Sequence, residues 1–328
     1  MTSEQPEEPN PAAGKGFLLA MLATIILAFA YLTYGPGLDH GYVGFGALLA
    51  IPFAMGALAT AFGYPFSRVG CIFAPVILFA LIFPLVYYGF AEGLVCILMV
   101  LPFWLAGGLG GGLAYLIYAK SRAANQGEAH ESRVKASTLL TLPFALIFAE
   151  EVSPPEWQER TVIRSVTIEA SAAEVWPLLL AVPDIGEHEG ESTFTHDFIG
   201  VPRPSGAKLI ETDAQLVRKA RWGTTIQFEE HIHTLVPRKK IAWNFVFPDD
   251  SVQAHTDQHI DPNGPVLRIT RGGYGMYQTA EDTVRLELST SYRMRTRLDW
   301  YFGWWGERLL GDVHANVLEI IKQRAEAS

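Results

Sequence analysis

The sequence predicts two fold classes in one chain: an all-α transmembrane bundle in the first half and an α+β domain in the second. Two observations support this prediction. Residues 1–150 contain 8 of the 34 acidic and 6 of the 25 basic side chains, so charge is concentrated in the second half. Apolar residues form long uninterrupted runs in the first half, whereas in the second they alternate with polar residues along short segments, as half-buried strands do.

Four apolar runs in the first half predict four membrane spans. Each has close to, or more than, the roughly 20 residues that a helix needs to cross a hydrocarbon core of about 30 Å. The short loops between them favour a bundle over unrelated core helices. A polar tail, 1–16, precedes the first run, and further spans follow it, which argues against a cleavable signal peptide. The spans lie at 17–34, 43–62, 69–90 and 94–118, within a bundle of 17–118.

Basic residues near the span ends predict the orientation of this bundle. Lys15 precedes the first span, Arg68 lies between the second and third, and four basic residues follow the fourth, at 120–135. The positive-inside rule therefore predicts a multi-pass protein of the cell (inner) membrane with a cytoplasmic N-terminus. A basic loop, a short apolar segment and a Pro-rich linker fill residues 119–159. If the apolar segment, 136–149, dips and returns, the C-terminal domain is cytoplasmic, as we favour. If it crosses, that domain is periplasmic.

A glycine-rich segment, Ala106–Ala114, lies within the fourth span. Small residues four apart allow helix backbones to approach closely, so we interpret this segment as a helix-packing face. A phosphate-binding loop would need a Lys and a Ser or Thr after the glycines, and neither is present at that spacing. The predicted spans hold no central ionisable residue, which indicates an anchor or a platform facing lipid rather than an ion-coupled transporter.

The second half, 160–328, reads as several strands followed by one long helix, 299–325. A capping box at Ser171–Glu174 predicts a helix after the first strand. Within each predicted strand every second residue is apolar, which predicts that one face of the sheet is buried. An antiparallel sheet that is apolar on one face must cover that face with the helix. The side chains expected between sheet and helix are Trp243, Phe245, Phe247, Tyr292 and Met294.

The run Val166–Trp176, in which a strand leads through an Ala-rich turn into a helix, resembles the opening of START-like (SRPBCC) domains, including those of the polyketide cyclase/dehydratase type. The resemblance covers about residues 160–325 and also includes the order of the later elements. It implies a helix-grip fold, in which a curved antiparallel sheet wraps around a long C-terminal helix. It further implies an apolar cavity between sheet and helix that binds lipids or other hydrophobic molecules. Some members catalyse cyclisations or dehydrations.

Glu230 and Arg271 are the polar candidates for this cavity. Glu230 is the charged residue on an otherwise apolar strand face, and a buried carboxylate is costly unless it is paired. Arg271 shares the phase of Leu267 and Ile269 and is therefore a potential partner. Such a pair would either stabilise the fold or orient a ligand. A bulge near Gly272 and Gly273 would shift that phase and remove Arg271 from the site.

His314, beside the apolar stripe of the last helix, is a weak candidate for an acid or base, and Trp305 on that helix is a candidate for ligand contact. A histidine bonded to the sheet is the alternative for His314. His231 and His233 fall on the outer face of their strand, so no metal site is predicted, and no cofactor is predicted either.

We therefore expect a membrane-anchored domain that binds a hydrophobic small molecule or lipid. A cyclase/dehydratase-type enzyme and a non-catalytic structural or regulatory membrane protein are the alternatives. The expected partners are that molecule and the lipid bilayer, without nucleic acid, because the net charge is −9. The sequence indicates no particular protein partner.

Overall fold

In a computed structural model, the structure describes residues 44–61, 70–73, 76–77, 80, 93–124, 141–186, 188–212, 215–257 and 260–327. The chain divides into two compact units. One consists of Met1–Glu92 and Ile97–Pro155, and the other of Gly93–Cys96 and Glu156–Ser328. We call them the N-terminal unit and the C-terminal domain.

Three helices form the described part of the N-terminal unit: α1 (Ile51–Ala61), which follows a π-helical turn at Gly46–Ala50, α2 (Leu94–Ala124) and α3 (Thr141–Val152). A 3-10 turn lies at Gly70–Phe73. The carboxylate of Glu150 on α3 accepts hydrogen bonds from the backbone N–H groups of Phe45 (2.8 Å) and Gly46 (3.2 Å). Because the first N–H groups of a helix have no partner within it, this carboxylate satisfies two of them and ties α3 to the start of α1.

Helices α1 and α2 approach each other through glycines, as the glycine-rich segment predicted. A Cβ atom on Gly111 would overlap the carbonyl oxygen of Phe53, and one on Gly56 would overlap that of Gly108. A Cβ on Gly107 would lie 2.7 Å from the carbonyl oxygen of Leu49. Main chain therefore packs directly against main chain at this crossing, which is how small residues bring apolar helices together.

Among the described residues, one helix, Leu94–Ser121, is long and apolar enough to cross a membrane by length and composition, and it corresponds to the predicted fourth span. The second predicted span appears as a shorter apolar helix, Leu48–Ala61. The first predicted span, 17–34, and most of the third, 69–90, lie outside the described residues. Four spans are therefore not established by the structure.

The C-terminal domain contains a seven-stranded antiparallel sheet of order β1-β7-β6-β5-β4-β3-β2. Consecutive strands from β2 to β7 are neighbours, and the first strand closes the sheet beside the last. The strands are β1 (Trp157–Ile168), β2 (Pro204–Glu211), β3 (Leu216–Trp222), β4 (Ile226–Val236), β5 (Lys240–Val246), β6 (Leu267–Ala280) and β7 (Thr283–Arg295).

Helices of this domain are α4 (Ala172–Leu180), α5 (Ser251–His255) and α6 (Asp299–Glu326), with a π-helical turn at Phe194–Phe198. Helix α4 begins at the predicted capping box: Ser171 accepts from the Glu174 N–H group, and the Glu174 carboxylate accepts from the Ser171 N–H group. Helix α6 covers the inner face of the sheet and contacts β1 and β7. This is the helix-grip arrangement that the sequence predicted.

Alternation along β7 follows the prediction closely. The even residues from Val284 to Met294 are all buried, because they face α6. In β4 the prediction holds only as far as Ile232. A register shift between Ile232 and Thr234 interrupts the alternation, and Val236, which an unbroken alternation would turn inward, is exposed.

The boundary between the units also differs from the prediction. Helix α3 ends at Val152 and β1 begins at Trp157, so the linker is shorter than the predicted one, which extended to residue 159. Residues 157–160 form backbone pairs with the end of β7, from Trp157↔Arg295 to Arg160↔Tyr292. The sheet therefore recruits residues whose sequence has no clear alternation.

Neighbouring glycines of α2 provide a test of the helix crossing. Replacing Gly111 with Ala should destabilise the N-terminal unit by about 1–3 kcal/mol, because a Cβ there overlaps the Phe53 carbonyl. Gly110→Ala is the matched control. A Cβ at Gly110 meets its nearest atom, Phe53 Cδ2, at 3.9 Å, so this change should gain up to about 1 kcal/mol of helix propensity. Thermal unfolding of both variants in detergent measures the difference, and equal melting temperatures would contradict the crossing.

Candidate functional site

Strands β3 and β4 place Arg218 and Glu230 directly opposite each other on the inner face of the sheet. Their side chains form an ion pair and are only 7% and 6% exposed. Glu230 is thus a buried, paired carboxylate, as the sequence suggested, but its partner is Arg218 and not Arg271.

Arg271 does not enter the site. A register shift between Ile269 and Arg271 changes the phase of β6, so Leu267 and Ile269 pack inward, whereas Arg271 is exposed and pairs with Glu159 of β1. The predicted Glu230–Arg271 pair is therefore wrong. Its physical cause is the irregularity that the glycines after Arg271 had suggested.

Tyr274 of β6 completes a polar cluster with Arg218 and Glu230. The guanidinium carbon of Arg218 lies 5.8 Å from the centre of the Tyr274 ring. Burial raises the pKa of the Glu230 carboxyl group, and the charge of Arg218 opposes that rise. Burial likewise raises the pKa of the Tyr274 hydroxyl group, again against the effect of Arg218. The cluster thus holds a charged pair and a neutral phenol away from water.

Aromatic rings extend from this cluster across the inner face. The Trp243 ring lies 5.3 Å from that of Tyr274 and 5.9 Å from that of Phe245. Phe228 connects Phe245 to the rings beyond it. Each ring of this series has a neighbour within about 6 Å, which is the spacing of favourable aromatic pairs. We call the series the aromatic array; it consists of Trp222, Phe228, Trp243, Phe245 and Phe247.

Buried apolar side chains of the sheet and α6 form separate clusters in the described part of the chain. One surrounds the C-terminal half of α6 and includes Trp243 and Tyr274. A second joins Tyr292 and Met294 to Phe302 and Leu310 near the start of α6. A third is built on Phe228 with the outer rings of the array. The predicted lining residues are therefore divided between clusters, with Tyr292 and Met294 in one and Phe247 in another.

Several buried N–H donors of the domain have no hydrogen-bond partner among the residues that the structure describes, among them Arg218 Nε, Trp243 Nε1, Trp305 Nε1 and Asn316 Nδ2. The Trp243 Nε1 atom lies 2.6 Å from the position that a Cβ on Gly272 would occupy, so this glycine provides the space for the indole N–H group. These atoms can only donate. Because a buried donor left unpaired costs about 1–3 kcal/mol, each of these groups is able to donate to water or to a bound molecule.

His314 of α6 is bonded to the sheet. Its Nε2 atom lies 2.8 Å from Thr290 Oγ1 on β7, and the residue is 2% exposed. Burial, followed by the charge of Arg164, lowers the pKa of His314 to about 3. Its imidazole is therefore neutral at ordinary pH. This geometry supports the alternative in which His314 joins helix to sheet.

Trp305, predicted to contact a ligand, is buried beside the π-helical turn, where its ring lies 6.4 Å from that of Phe194. That turn is held on α6 by Asp312, which accepts from both the N–H and the hydroxyl group of Thr195, each at 3.0 Å. In addition, the ring of His196 lies 6.3 Å from that of Trp222. The turn therefore contacts both α6 and the aromatic array.

The sequence analysis missed Arg218, Tyr274, Thr290 and the π-helical turn. Arg218 lies in a strand with three basic residues, Arg218, Lys219 and Arg221, which conceal the alternation of β3. Counting every second residue from Leu216 would have placed Arg218 on the same face as Ala220 and Trp222. Pairing with Glu230 depends on the β3–β4 register, which no residue in the sequence reveals.

No family model matches the sequence, and no curated protein matches it. Solved structures do match. The chain is similar to the Zhui aromatase/cyclase from Streptomyces sp. R1128, with 13% identity, a TM-score of 0.32, and coverage of 51% of this chain and 94% of that one. It is similar to norcoclaurine synthase from Thalictrum flavum, with 11% identity, a TM-score of 0.33, and coverage of 55% and 92%. A third similar structure is that of the protein XoxI from Bacillus cereus, with 14% identity and a TM-score of 0.31. The match covers 50% of this chain and 93% of that one.

Removing one partner of the buried ion pair should be far more damaging than removing both. Glu230→Leu should cost about 3–5 kcal/mol of stability because it leaves Arg218 charged and buried, and adding Arg218→Met should restore most of that loss. The neighbouring pair Lys219–Glu229 (2.9 Å), on the outer face of the same strands, is the matched control. Its disruption by Glu229→Leu should cost about 1 kcal/mol or less. Urea denaturation of the wild type and the three variants measures these values, and similar costs at both pairs would refute the special role of burial.

His314 should make stability depend on pH. Its pKa is lower in the folded protein than in the unfolded chain, so the unfolded state binds the extra proton and stability falls as pH drops below about 6.5. Between pH 7.5 and 5.5 the loss attributable to His314 should be about 1.4 kcal/mol. His314→Gln should remove that part of the slope, and His233→Gln, at an exposed histidine, should leave it. Denaturation midpoints at both pH values provide the measurement. An unchanged slope in His314→Gln would show that this imidazole is not buried in its neutral form.

Proposed function

We propose that this protein binds a hydrophobic small molecule or lipid on the inner face of the sheet, and that the N-terminal unit anchors it in a membrane. The observation that carries the first part is a set of unpaired donors: Arg218 Nε, Trp243 Nε1 and Trp305 Nε1. Arg218 belongs to the polar cluster, where it is paired with Glu230. Trp243 belongs to the aromatic array. An apolar surface with a few convergent polar groups is typical of small-molecule sites.

The rings of the aromatic array would supply most of the binding free energy. An apolar molecule laid against the partly buried rings of Phe245 and Phe247 would remove ring surface from water, at about 25 cal/mol for each Å² of apolar area. The donors would then orient it. Arg271 has no part in this proposal because it faces solvent. The roles of Tyr292, Met294 and Trp305 would be to border the ligand on the side of α6.

Anchoring is supported by α2, whose residues Leu94–Ser121 are apolar over a length sufficient to cross a bilayer. Basic residues after this helix, Lys120 and Arg122, favour a cytoplasmic location for its C-terminal end. Helix α3 has 12 residues and extends about 18 Å, which is less than the hydrocarbon thickness.

The Glu150 carboxylate near the end of α3, however, bonds to the backbone N–H groups of Phe45 and Gly46. These residues begin the second predicted span, at the end that the positive-inside rule places on the periplasmic side. The contacts therefore favour a periplasmic C-terminal domain over the cytoplasmic one expected from the sequence.

A cyclase/dehydratase-type enzyme is the second candidate, and the raised pKa of Glu230 favours it. Burial raises the pKa of this carboxyl group, and a perturbed pKa is common among catalytic acids and bases. His314 is less suited to the role, since it is already bonded to Thr290. Binding ranks ahead of catalysis because the Glu230 carboxylate is already paired with Arg218, so it is not available to act on a substrate.

Native mass spectrometry of the full chain, purified in detergent, tests the binding proposal. We expect a stoichiometric hydrophobic adduct on the wild-type protein. Trp243→Phe keeps an aromatic ring, a phenyl in place of the indole, but removes the N–H donor. It should therefore weaken retention of the adduct about 5- to 30-fold, which corresponds to one hydrogen bond of about 1–2 kcal/mol. Trp300→Phe, at a surface indole, is the control and should retain the adduct. Absence of any adduct, or equal retention by both variants, would overturn the proposal.

A further inference from the structure

One end of the C-terminal domain carries exposed tryptophans that neither the core nor the proposed ligand site uses. Trp300 is 69% exposed and Trp304 is 58% exposed. They are four residues apart on α6 and therefore share one face of the helix. Tryptophan is a costly residue to leave in water, but it is enriched where a protein meets the headgroup region of a bilayer.

Basic side chains lie at the same end of the domain, on the face of the sheet that points away from α6. Trp157, the first residue of β1, pairs with Arg295 at the end of β7. Its ring is flanked by two exposed guanidinium groups, that of Arg268 at 4.9 Å and that of Arg293 at 5.6 Å. Arg297 follows two residues after Arg295. The whole chain carries a net charge of −9, so a concentration of arginine at one end is a local reversal of charge.

Two acidic side chains at this end, Asp299 and Glu159, are already paired. Asp299, at the start of α6, binds Arg160, and the Arg160 Nε–Asp299 Oδ1 distance is 3.1 Å. Glu159 binds Arg271. The carboxylates therefore neutralise two arginines that lie farther along the strands, and Arg268 and Arg293 remain to face an external anion.

This end is also the one to which the apolar helices connect. Four residues, 153–156, separate the end of α3 from Trp157. Five Cα-to-Cα steps extend at most about 17 Å. If α3 lies at a bilayer, the chain therefore keeps Trp157 and its surroundings close to the headgroups. The contact of Arg160 with Asp299 places the first turn of α6 beside the same end of β1.

We infer that Trp300 and Trp304, together with Trp157, Arg268 and Arg293, form a surface that docks on the interfacial region of a bilayer containing anionic phospholipid. The inference rests on the anchoring part of the proposed function. The indoles enter the headgroup region, and the arginines bind lipid phosphates, since basic side chains are attracted to an anionic surface. Docking holds this end of the domain against the bilayer.

Quenching of tryptophan emission in proteoliposomes tests this surface with the full chain. The signal of interest is the emission of the wild type minus that of the double variant Trp300→Phe/Trp304→Phe. Vesicles contain about 70% phosphatidylcholine and about 30% phosphatidylglycerol, a fraction that gives an anionic surface. Lipid brominated near the headgroup end of its chains should remove at least about half of this difference signal, because quenching by bromine requires close contact, whereas aqueous iodide should have little effect.

A control for position is Tyr277→Trp, which introduces an indole at a residue that is 54% exposed. Tyr277 pairs with Arg285 near the β6–β7 turn, at the opposite end of these strands from Trp157. The emission gained in this variant should be quenched by iodide and not by brominated lipid. A control for charge is Arg268→Gln/Arg293→Gln, which should lower bromine quenching in the anionic vesicles but not in pure phosphatidylcholine.

Three results would overturn the inference while leaving anchoring intact, provided that the protein floats with the vesicles. Quenching of Trp300 and Trp304 by iodide alone would show that they face water. Quenching by neither agent would show that protein, such as a second copy of the chain, covers them. Equal bromine quenching in the anionic vesicles and in pure phosphatidylcholine would show that docking does not depend on anionic phospholipid. Failure of the protein to float would overturn both this surface and the anchoring proposal.

Discussion

Packing of α6 across the inner face of the sheet is the contact on which the rest of the C-terminal domain depends. Glycines on the helix make it possible, because a Cβ on Gly306 would overlap the Tyr292 hydroxyl and one on Gly311 would overlap the Arg164 guanidinium. Two ion pairs from β1, Arg160–Asp299 and Arg164–Glu307, fix the helix along the sheet edge. The helix thus lies close to β1 and β7, on one side of the inner face.

Because α6 lies close to β1 and β7, other side chains cover the inner face of the remaining strands. On β3 to β5 the inner face is covered by the aromatic array and the polar cluster rather than by a continuous aliphatic layer. A buried ion pair such as Arg218–Glu230 is weak evidence for stability, since well-packed apolar residues often serve equally well. Its presence beside unpaired donors is easier to understand if this part of the inner face is shaped for another molecule and not for folding alone.

The sequence predicted the elements of this domain better than their contacts. Periodicity predicted one buried face for the strands, because burial acts on every second strand residue, and it placed the last helix at 299–325, within a residue of α6. It failed at the bulges, where one added residue reverses the phase of the strand. That is why Arg271 was expected inside and lies outside. Arg218 was missed because pairing between strands depends on register, which the periodicity of a single strand does not encode. The π-helical turn has no periodic signal at all.

In the N-terminal unit, composition predicts apolar helices, and the glycine pattern predicts their crossing, since both depend only on local sequence.

A bilayer source for the ligand would also explain the chemistry of the proposed site. A hydrophobic molecule that leaves the headgroup region gives up the water bonded to its oxygens, and this loss opposes its transfer into a dry protein interior. Donors at Arg218 and Trp243 would replace those bonds, while the aromatic array replaces the acyl chains. The proposed attachment to the membrane would then raise the local concentration of such a molecule at the site without any additional contact.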